Sequence, residues 1–570
     1  MFVAILMGIC IILFWLARER TYFLGDGYII LQWLSLTSGP EVILGAFKHE
    51  PLTGYLVWNL YNLFSSWQIL SSAEFSMQCI SICFGIGCIV LVALVARTIF
   101  SRALDGVLFS VFILISGGSQ LFFGYIENYT PAYCGVVVYI LLSIFYLRDK
   151  LPLIFPSMFF GVLFTLDFGM LALLPSLGVM FYREHKMHRI STIVLSTVAM
   201  VLTSMLLLWL CGYSFASFWE IFFNGEDHIV PVFQATGGWR SYTMFSLSHL
   251  LEVSNLYLLT LPFAPIFLIG VLITFRKQLL LQRLEWIFII LTGLLGLCFT
   301  LVFNTDIGMS RDWDLMSPFV LCSIVAAGYI GWQFVETQTM QKFFVIMIAI
   351  NLFHCIPWVL VNADENRSLA RFDRLPDEHL WGKNAFKVFE ELGMYHRDHA
   401  NFPPAIYYYE KYLDYDSTDT RIMGSLAAIY KALNNTEKEI YYYQKMIKYG
   451  PRLSRVYTDF SSVYAQQGRY DEAIEILKSG LERFPNSSAL HMNIGVLLMR
   501  VKKQYNQALP YLQHALFLDS SKADSYEAVG LCYHYLGDSL RAKTYLSRYM
   551  EMRPNDPETQ ELREKIRYLK

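Results

Sequence analysis

Charge is scarce in this sequence. Asp, Glu, Lys and Arg supply 16% of its 570 residues, where soluble domains carry roughly 25%. That deficit excludes an ordinary water-soluble protein for most of the chain and points to a membrane. Net charge is scarce too: −2 overall leaves no basic footprint for a nucleic acid. There is no CxxC pair and no Cys/His ligand spacing, so the ten cysteines are expected to be packing residues. Nine precede residue 362 and only Cys532 follows it, which excludes a disulfide framework for the C-terminal part. The first apolar segment lacks a basic leader and a small-residue cleavage site. It is expected to be an anchor, not a removable signal peptide.

Apolar sequence is abundant, at 55%. Segments fall near 2–17, 75–96, 104–123, 131–147, 151–166, 168–182, 190–211, 254–275, 284–303, 317–335 and 342–361. At ~20 residues per crossing they imply about 11 spans in a membrane domain of residues 1–361. With a cytoplasmic N-terminus, the inner loops carry eleven Lys and Arg and the outer loops five: Arg18, Arg20, Lys48, Arg240 and Arg311. That bias sets the orientation and leaves the C-terminal part outside the cytoplasm. The expected location is a multi-pass protein of the cell inner membrane or an equivalent bilayer. Acids gather on the outer side, among them Asp26, Glu50, Glu74, Glu127, Asp167, Asp306, Asp312 and Asp314. An acid at mid-membrane costs ~2.5–3.5 kcal/mol, so these groups need a wet cavity or partners.

The C-terminal part is periodic. Small residues Gly393, Ala427, Ser461, Gly495 and Gly530 recur every 34 or 35 positions, followed by Ala405, Glu439, Ala473, Ala508 and Ala542. Pro451, Pro485 and Pro554 close three units. This is the 34-residue tetratricopeptide (TPR) pattern, in which small residues let paired helices touch. The fold class is therefore all-α: a polytopic transmembrane domain, a joint at 362–385, and an α-solenoid of about five repeats at 386–570.

Two stretches carry chemistry. In 22–61, Asp26 sits between Gly25 and Gly27, and a turn-like string Lys48-His49-Glu50-Pro51-Leu52 follows, with Trp33, Trp58 and Tyr61 as interfacial anchors. In 304–317, Arg311-Asp312-Trp313-Asp314 packs three charges around one Trp. Glu127 lies in GYIENYTP before another span. Each has a plain structural alternative. Asp26 and Glu127 can cap helices, Glu50 can be a solvated loop residue, and the Arg311 turn can be internally paired at the surface. Glu226-Asp227-His228 is expected to be solvated loop.

The order Gly25-Asp26-Gly27-Tyr28, then His49-Glu50-Pro51-Leu52 with Tyr55 and Trp58, then Glu127 in 125–129, resembles the GT-C membrane glycosyltransferases. It is most similar to the protein-O-mannosyltransferase and aminoarabinose-transferase-like group. With a TPR tail, the whole resembles the transmembrane-and-TPR O-mannosyltransferases. The family often has Asp-Glu where this chain has Asp26-Gly27, and Pro-Pro where it has Glu50-Pro51. The resemblance implies an inverting transfer of sugar from a polyprenyl-phosphate donor to an acceptor protein, glycan or lipid outside the cytoplasm. Asp26 would be the base, with Glu127 sharing or positioning. His49, Glu50, Arg240, Arg311, Asp312 and Asp314 would bind substrate, the arginines facing the leaving phosphate. No cofactor is expected, although Asp306, Asp312 and Asp314 leave a divalent cation open. The repeats would bind the acceptor or a protein partner. Two rivals stand beside this: a non-enzymatic, membrane-anchored TPR scaffold for envelope assembly, and a lipid-linked polysaccharide polymerase or ligase.

Overall fold

A computed structural model describes residues 2–22, 27, 30–31, 34, 43, 47–69, 72–223, 229–233, 243–261, 264–275, 283–303, 313–374, 385–451 and 453–554. The chain divides into two compact units, Met1–Arg374 and Leu375–Lys570. Among the described residues both are helical, and the only β-type pairing is an isolated bridge between Ile229 and Phe303.

In the first unit α1 is Phe2–Leu16, α2 Pro51–Ser66, α3 Ser72–Ile99, α4 Ala103–Leu114, α5 Thr130–Leu147, α6 Ile154–Leu166, α7 Leu174–Lys186 and α8 Ile190–Leu210. Then come α9 Phe215–Phe223, α10 Leu247–Thr260, α11 Ala264–Thr274, α12 Leu284–Val302, α13 Trp313–Phe334, α14 Thr337–Asn362 and α15 Glu365–Phe372. Among the described residues six helices are long and apolar enough to cross a membrane: α3, α5, α8, α12, α13 and α14. A bent pair, Leu247–Thr260 with Pro265–Thr274, makes seven if counted as one span. This corrects the expectation of about 11. The apolar stretches at 104–123 and 168–182 do not form single helices, because each contains a 3₁₀ segment, Gly117–Phe122 and Phe168–Leu173. Segment 151–166 yields only 13 helical residues. Hydropathy alone does not see such breaks.

Polar contacts sort the helix ends into two groups. At one end Arg148 of α5 forks onto Glu285 of α12 at 2.7 and 3.0 Å and also donates to the Thr98 carbonyl of α3. Tyr329 of α13 joins Glu285 at 2.5 Å. Nearby in sequence, Arg183 pairs with Asp149, and Tyr146 donates to Glu184. At the other end the Glu19 amide bonds Phe123, the Arg20 amide bonds Asn362, and Tyr22 donates to Glu74. The basic loops and the acidic loops of the sequence thus meet their own kind, as alternating helix direction requires. Helix α15 packs into this unit through Thr21 Oγ1 and Ser368 Oγ at 2.6 Å.

The second unit is five helix pairs: Ala385–Asp398 with Phe402–Tyr415, Thr420–Ala432 with Thr436–Tyr449, Arg455–Gln466 with Tyr470–Arg483, Ser488–Val496 with Tyr505–Leu518, and Ala523–Tyr535 with Ser539–Met552. Small residues sit where the helices cross. A Cβ on Gly393 would lie 2.6 Å from the Tyr409 ring, and one on Gly495 2.5 Å from Leu512. The step from Gly495 to Ala508 is one residue longer than its counterparts. A π-helical turn at Leu497–Val501 takes up that residue, so the pair still packs.

Glu439 stands where the other four repeats have Ala. It is 5% exposed, and its Oε1 has no hydrogen-bond partner. Burial raises its pKa above 4.5, against a lowering by Lys431. The ionised folded form is therefore disfavoured. The penalty is absent below the unfolded pKa and complete above the folded one. Glu439→Ala should slow hydrogen exchange across Thr436–Tyr449 in the full chain, by about 1–3 kcal/mol of local stability at pH 7. The gain should shrink toward pH 4; an equal gain at both pH values would rule out ionisation as the cause.

Candidate functional site

The acid-bearing end begins with a turn. After the 3₁₀ segment, Gly124 takes φ +59°, and a Cβ there would lie 2.8 Å from Cβ of Arg18. This left-handed residue suits glycine and lets the chain fold back beneath α1. The Tyr125 amide then donates to Ser81 Oγ at 3.1 Å, and Ser81 in turn donates to Leu121. So anchored, the Tyr125 hydroxyl donates to Asp314 Oδ2 at 3.0 Å, joining residues 189 apart in sequence.

Around this phenol lie three buried carboxylates: Asp314 at 3% exposure, Glu127 at 5% and Glu19 at 1%. Burial, first, and then the charges of Asp314, Glu127 and Glu19 push the Tyr125 pKa well above its usual value. Tyr125 is therefore a fixed donor at any ordinary pH. Aromatic rings close the cluster: Tyr125 lies 5.4 Å from Trp313, and Trp313 meets Trp358 edge-on at 6.2 Å. Arg371 of α15 stacks 4.9 Å over Trp358 and donates to Asn362 Oδ1 at 2.8 Å.

A second group of polar residues belongs to the same end. The Phe168 amide bonds the His49 carbonyl at 2.9 Å, Thr53 donates to Leu166, and Tyr213 donates to the Lys48 carbonyl at 2.8 Å. These contacts hold the turn that carries Glu50, which is 6% exposed at the N-terminus of α2. Asp167 lies beside it in sequence contact with Phe168. It is 2% exposed, and its Oδ1 accepts from the Gly169 amide at 2.7 Å. Its Oδ2 is buried without a partner. Burial pushes its pKa up to about 7 against that amide bond.

Of the residues expected to form the site, Glu127, Asp314, His49 and Glu50 are placed at this end. Glu127 and Asp314 share the Tyr125 cluster; His49 and Glu50 belong to the Asp167 group. Asp26, Arg240, Arg311 and Asp312 lie outside the described residues, as do Asp306, Trp33 and Glu226-Asp227-His228. Gly27 is described: a Cβ on it would sit 3.1 Å from the Ile126 carbonyl, next to Glu127. Three structural alternatives are corrected. Glu127 is not the cap of α5, whose N-cap is Tyr129. Glu50 is buried, not solvated. Asp314 is no surface-turn residue; it is buried in the first turn of α13 with a distant partner. Among the described residues no three His, Cys, Asp or Glu side chains group to hold a cation.

Sequence reasoning passed over Glu19, Tyr125 as a donor and Arg371, and placed Asp167 among the outer-side acids without giving it a role. Glu19 is flanked by Arg18 and Arg20, which made it look like one of a run of surface charges. Arg371 fell in the expected joint, although the pattern of ENRSLARF already sets a polar and an apolar face.

Comparisons with known proteins concern the second unit. The tetratricopeptide-repeat family matches residues 454–487 and 523–556. These are TPR repeats, a fold whose stacked pairs offer extended concave surfaces to protein partners. Solved structures similar to the chain include MamA from Desulfovibrio magneticus RS-1, at 15% identity over 31% of this chain and 98% of that one, TM-score 0.27. Another is YrrB, described as a TPR protein with an unusual peptide-binding site, at 15% identity over 35% and 97%, TM-score 0.28. A third is the first TPR of Spaghetti bound to an HSP90 peptide, at 27% identity over 20% and 91%, TM-score 0.19. No curated protein matches the chain.

The buried carboxyl of Asp167 yields a signed expectation. Its pKa rises from 3.8 to about 7 on folding, so ionisation destabilises the folded state increasingly from pH 4 to pH 7, and fully above that. Asp167→Asn keeps the acceptor for Gly169 and removes the charge. In detergent-purified protein its melting temperature should exceed wild type at pH 8, by less at pH 5, and converge on it below pH 4. A pH-independent difference would refute the ionisation argument.

Proposed function

We propose that the first unit is a membrane glycosyltransferase acting at its acid-bearing end on a polyprenyl-phosphate-linked sugar. The observation that carries this reading is the convergence of Glu127, Asp314 and Glu19 on Tyr125. Buried acids are costly, and their gathering at one point from the segment after α1, the 123–129 loop and α13 is what a site for hydroxyl chemistry needs and a bare anchor does not. In the reaction an acceptor hydroxyl attacks the anomeric carbon, whose bond to the lipid phosphate oxygen breaks. The hydroxyl proton passes to a carboxylate and the phosphate leaves with the bonding pair, which inverts the carbon. Asp26 is the assigned base, Glu127 the group that shares or positions it, and Asp314, held by Tyr125, a contact for sugar hydroxyls. Arg311 and Arg240 face the phosphate, with His49, Glu50 and Asp312 lining the site. The TPR unit recruits the acceptor or a separate protein partner. Grouping of the helix ends supports a common side for Glu127, Asp314, His49 and Glu50, and the basic loops support a cytoplasmic position for the opposite end.

A second reading is favoured by the repeats themselves: a membrane-anchored scaffold in which TPR pairs bind an envelope protein and the first unit performs no chemistry. It is at least as well supported by the family match. The two separate on one experiment. Asp26→Asn, Glu127→Gln and Asp314→Asn should each lower transfer by at least ~100-fold, read by mass spectrometry of envelope glycans, with the protein still inserted. An unchanged glycan profile in all three would leave the scaffold reading.

A further inference from the structure

The fourth helix pair of the second unit departs from its neighbours at two facing positions. Four residues before the small residue of each first helix, the other repeats carry Phe389, Met423, Tyr457 and Tyr526, all large packing residues. The fourth carries His491. Six residues after the Ala or Glu of each second helix, the others carry Lys411, Lys445, Ser479 and Arg548, and the fourth carries His514. The packing of the repeat therefore asks for neither imidazole. Yet the two rings meet, with centroids 4.4 Å apart and planes at 61°.

The local backbone decides which nitrogen of His491 is left over. Its Nε2 lies 3.0 Å from the Pro485 carbonyl. A carbonyl can only accept, so Nε2 carries the proton and Nδ1 the lone pair. Nδ1 is buried and has no hydrogen-bond partner. Burial, first, lowers the His491 pKa; the Pro485 bond opposes it, and His514 lowers it further. The ring is thus neutral at pH 7 with an unused lone pair. An imidazole whose other N–H is held by a backbone carbonyl is oriented as a metal ligand is.

The surroundings fix this geometry. Ser487 Oγ accepts the Leu490 amide at 3.4 Å and so caps the helix one turn before His491. Ser488 Oγ donates to the Ala515 carbonyl at 3.0 Å, which ties that helix to the second one beside His514. The Tyr511 ring lies 6.0 Å from His491 on its own side of the pair. His514 is exposed, so its ring can turn and solvent can reach it. Two imidazoles that share one cation at about 2.0–2.1 Å from each nitrogen hold their centroids roughly 4.5–5 Å apart. The observed spacing is within a small rotation of that. Stacking of two neutral rings accounts for the contact but leaves Nδ1 unsatisfied; a cation uses it.

We propose that Nδ1 of His491 and the imidazole of His514 form a two-histidine site for a divalent transition metal, with water in the remaining positions. Imidazole suits copper(II), nickel(II) and zinc(II), and the order of affinity places copper(II) first; magnesium and calcium seek oxygen and find none offered here. Bound metal staples the two helices of the fourth repeat and stabilises them by mass action. The site stands in the second unit and does not use the transferase reading.

The test is amide hydrogen exchange of the full-length, detergent-purified protein, prepared without a histidine tag and stripped of metal, with copper(II), zinc(II) or magnesium added. Two variants borrow the side chains of the other repeats: His491→Tyr, as at Tyr457, and His514→Lys, as at Lys445. In the wild type, copper(II) and zinc(II) should slow exchange across Ser488–Val496 and Tyr505–Leu518 at least tenfold, and magnesium should leave it unchanged. Each variant alone should abolish that protection while the other repeats exchange as in the wild type. Protection that survives either variant would overturn the proposal, since one histidine would then suffice. Equal protection by magnesium, or none by copper(II), would overturn it as well. If His491→Tyr disturbs exchange before metal is added, the exposed His514→Lys alone decides.

Discussion

Hydrocarbon solvates neither ions nor unpaired backbone groups, a constraint that bears on the first unit because six of its described helices are long and apolar enough to cross a membrane. Its ionic contacts are driven to the helix ends. The Arg148–Glu285–Tyr329 knot, with the Thr98 carbonyl, ties together the ends of four helices, α3, α5, α12 and α13. Such a pair is weak evidence for stability, since desolvation offsets its attraction. Its value is register: a one-turn slip of α12 would separate the fork from its carboxylate, and hydrophobic packing alone would not forbid that slip.

The opposite end solves the same problem differently. There Tyr125 binds one of the buried acids, Asp314, through a neutral donor. A phenol with a raised pKa is suited to the task, because it orients a carboxylate without neutralising it. Arg371 stacks on Trp358 and bonds the Asn362 amide oxygen.

Much of this was legible in the sequence, and what was not has physical causes. The repeats were plain because a small residue every 34 positions is a steric demand: Gly495 has Leu512 against it. Even the one-residue excess after Gly495 was visible, although its absorption by a π turn was not, since that choice belongs to hydrogen-bond geometry. The long apolar helices were legible through hydropathy. The number of uninterrupted spans was not, because 3₁₀ breaks at Gly117–Phe122 and Phe168–Leu173 leave hydropathy unchanged. Glu127 and Asp314 could be picked as acids near span ends. Their shared partner could not, because Tyr125 and Asp314 are 189 residues apart and only the fold brings them together.

Those breaks bear on function. Irregular backbone at membrane depth is tolerated where protein buries it or where it lines a cavity, because its amides must find partners without a helix ladder. Both 3₁₀ segments meet that demand with side chains or loops from the acid-bearing end: Leu121 accepts from Ser81 and Thr130, and Phe168 donates to His49. One break delivers Tyr125 and Glu127; the other delivers Asp167 beside the His49-Glu50 turn. A protein that only had to hold a TPR stack at a membrane would be served as well by continuous helices, which satisfy their own backbones and bury no acids. The interruptions fall where the carboxylates are, so the same two breaks in the helix ladder account for both the irregular backbone and the placing of the acids.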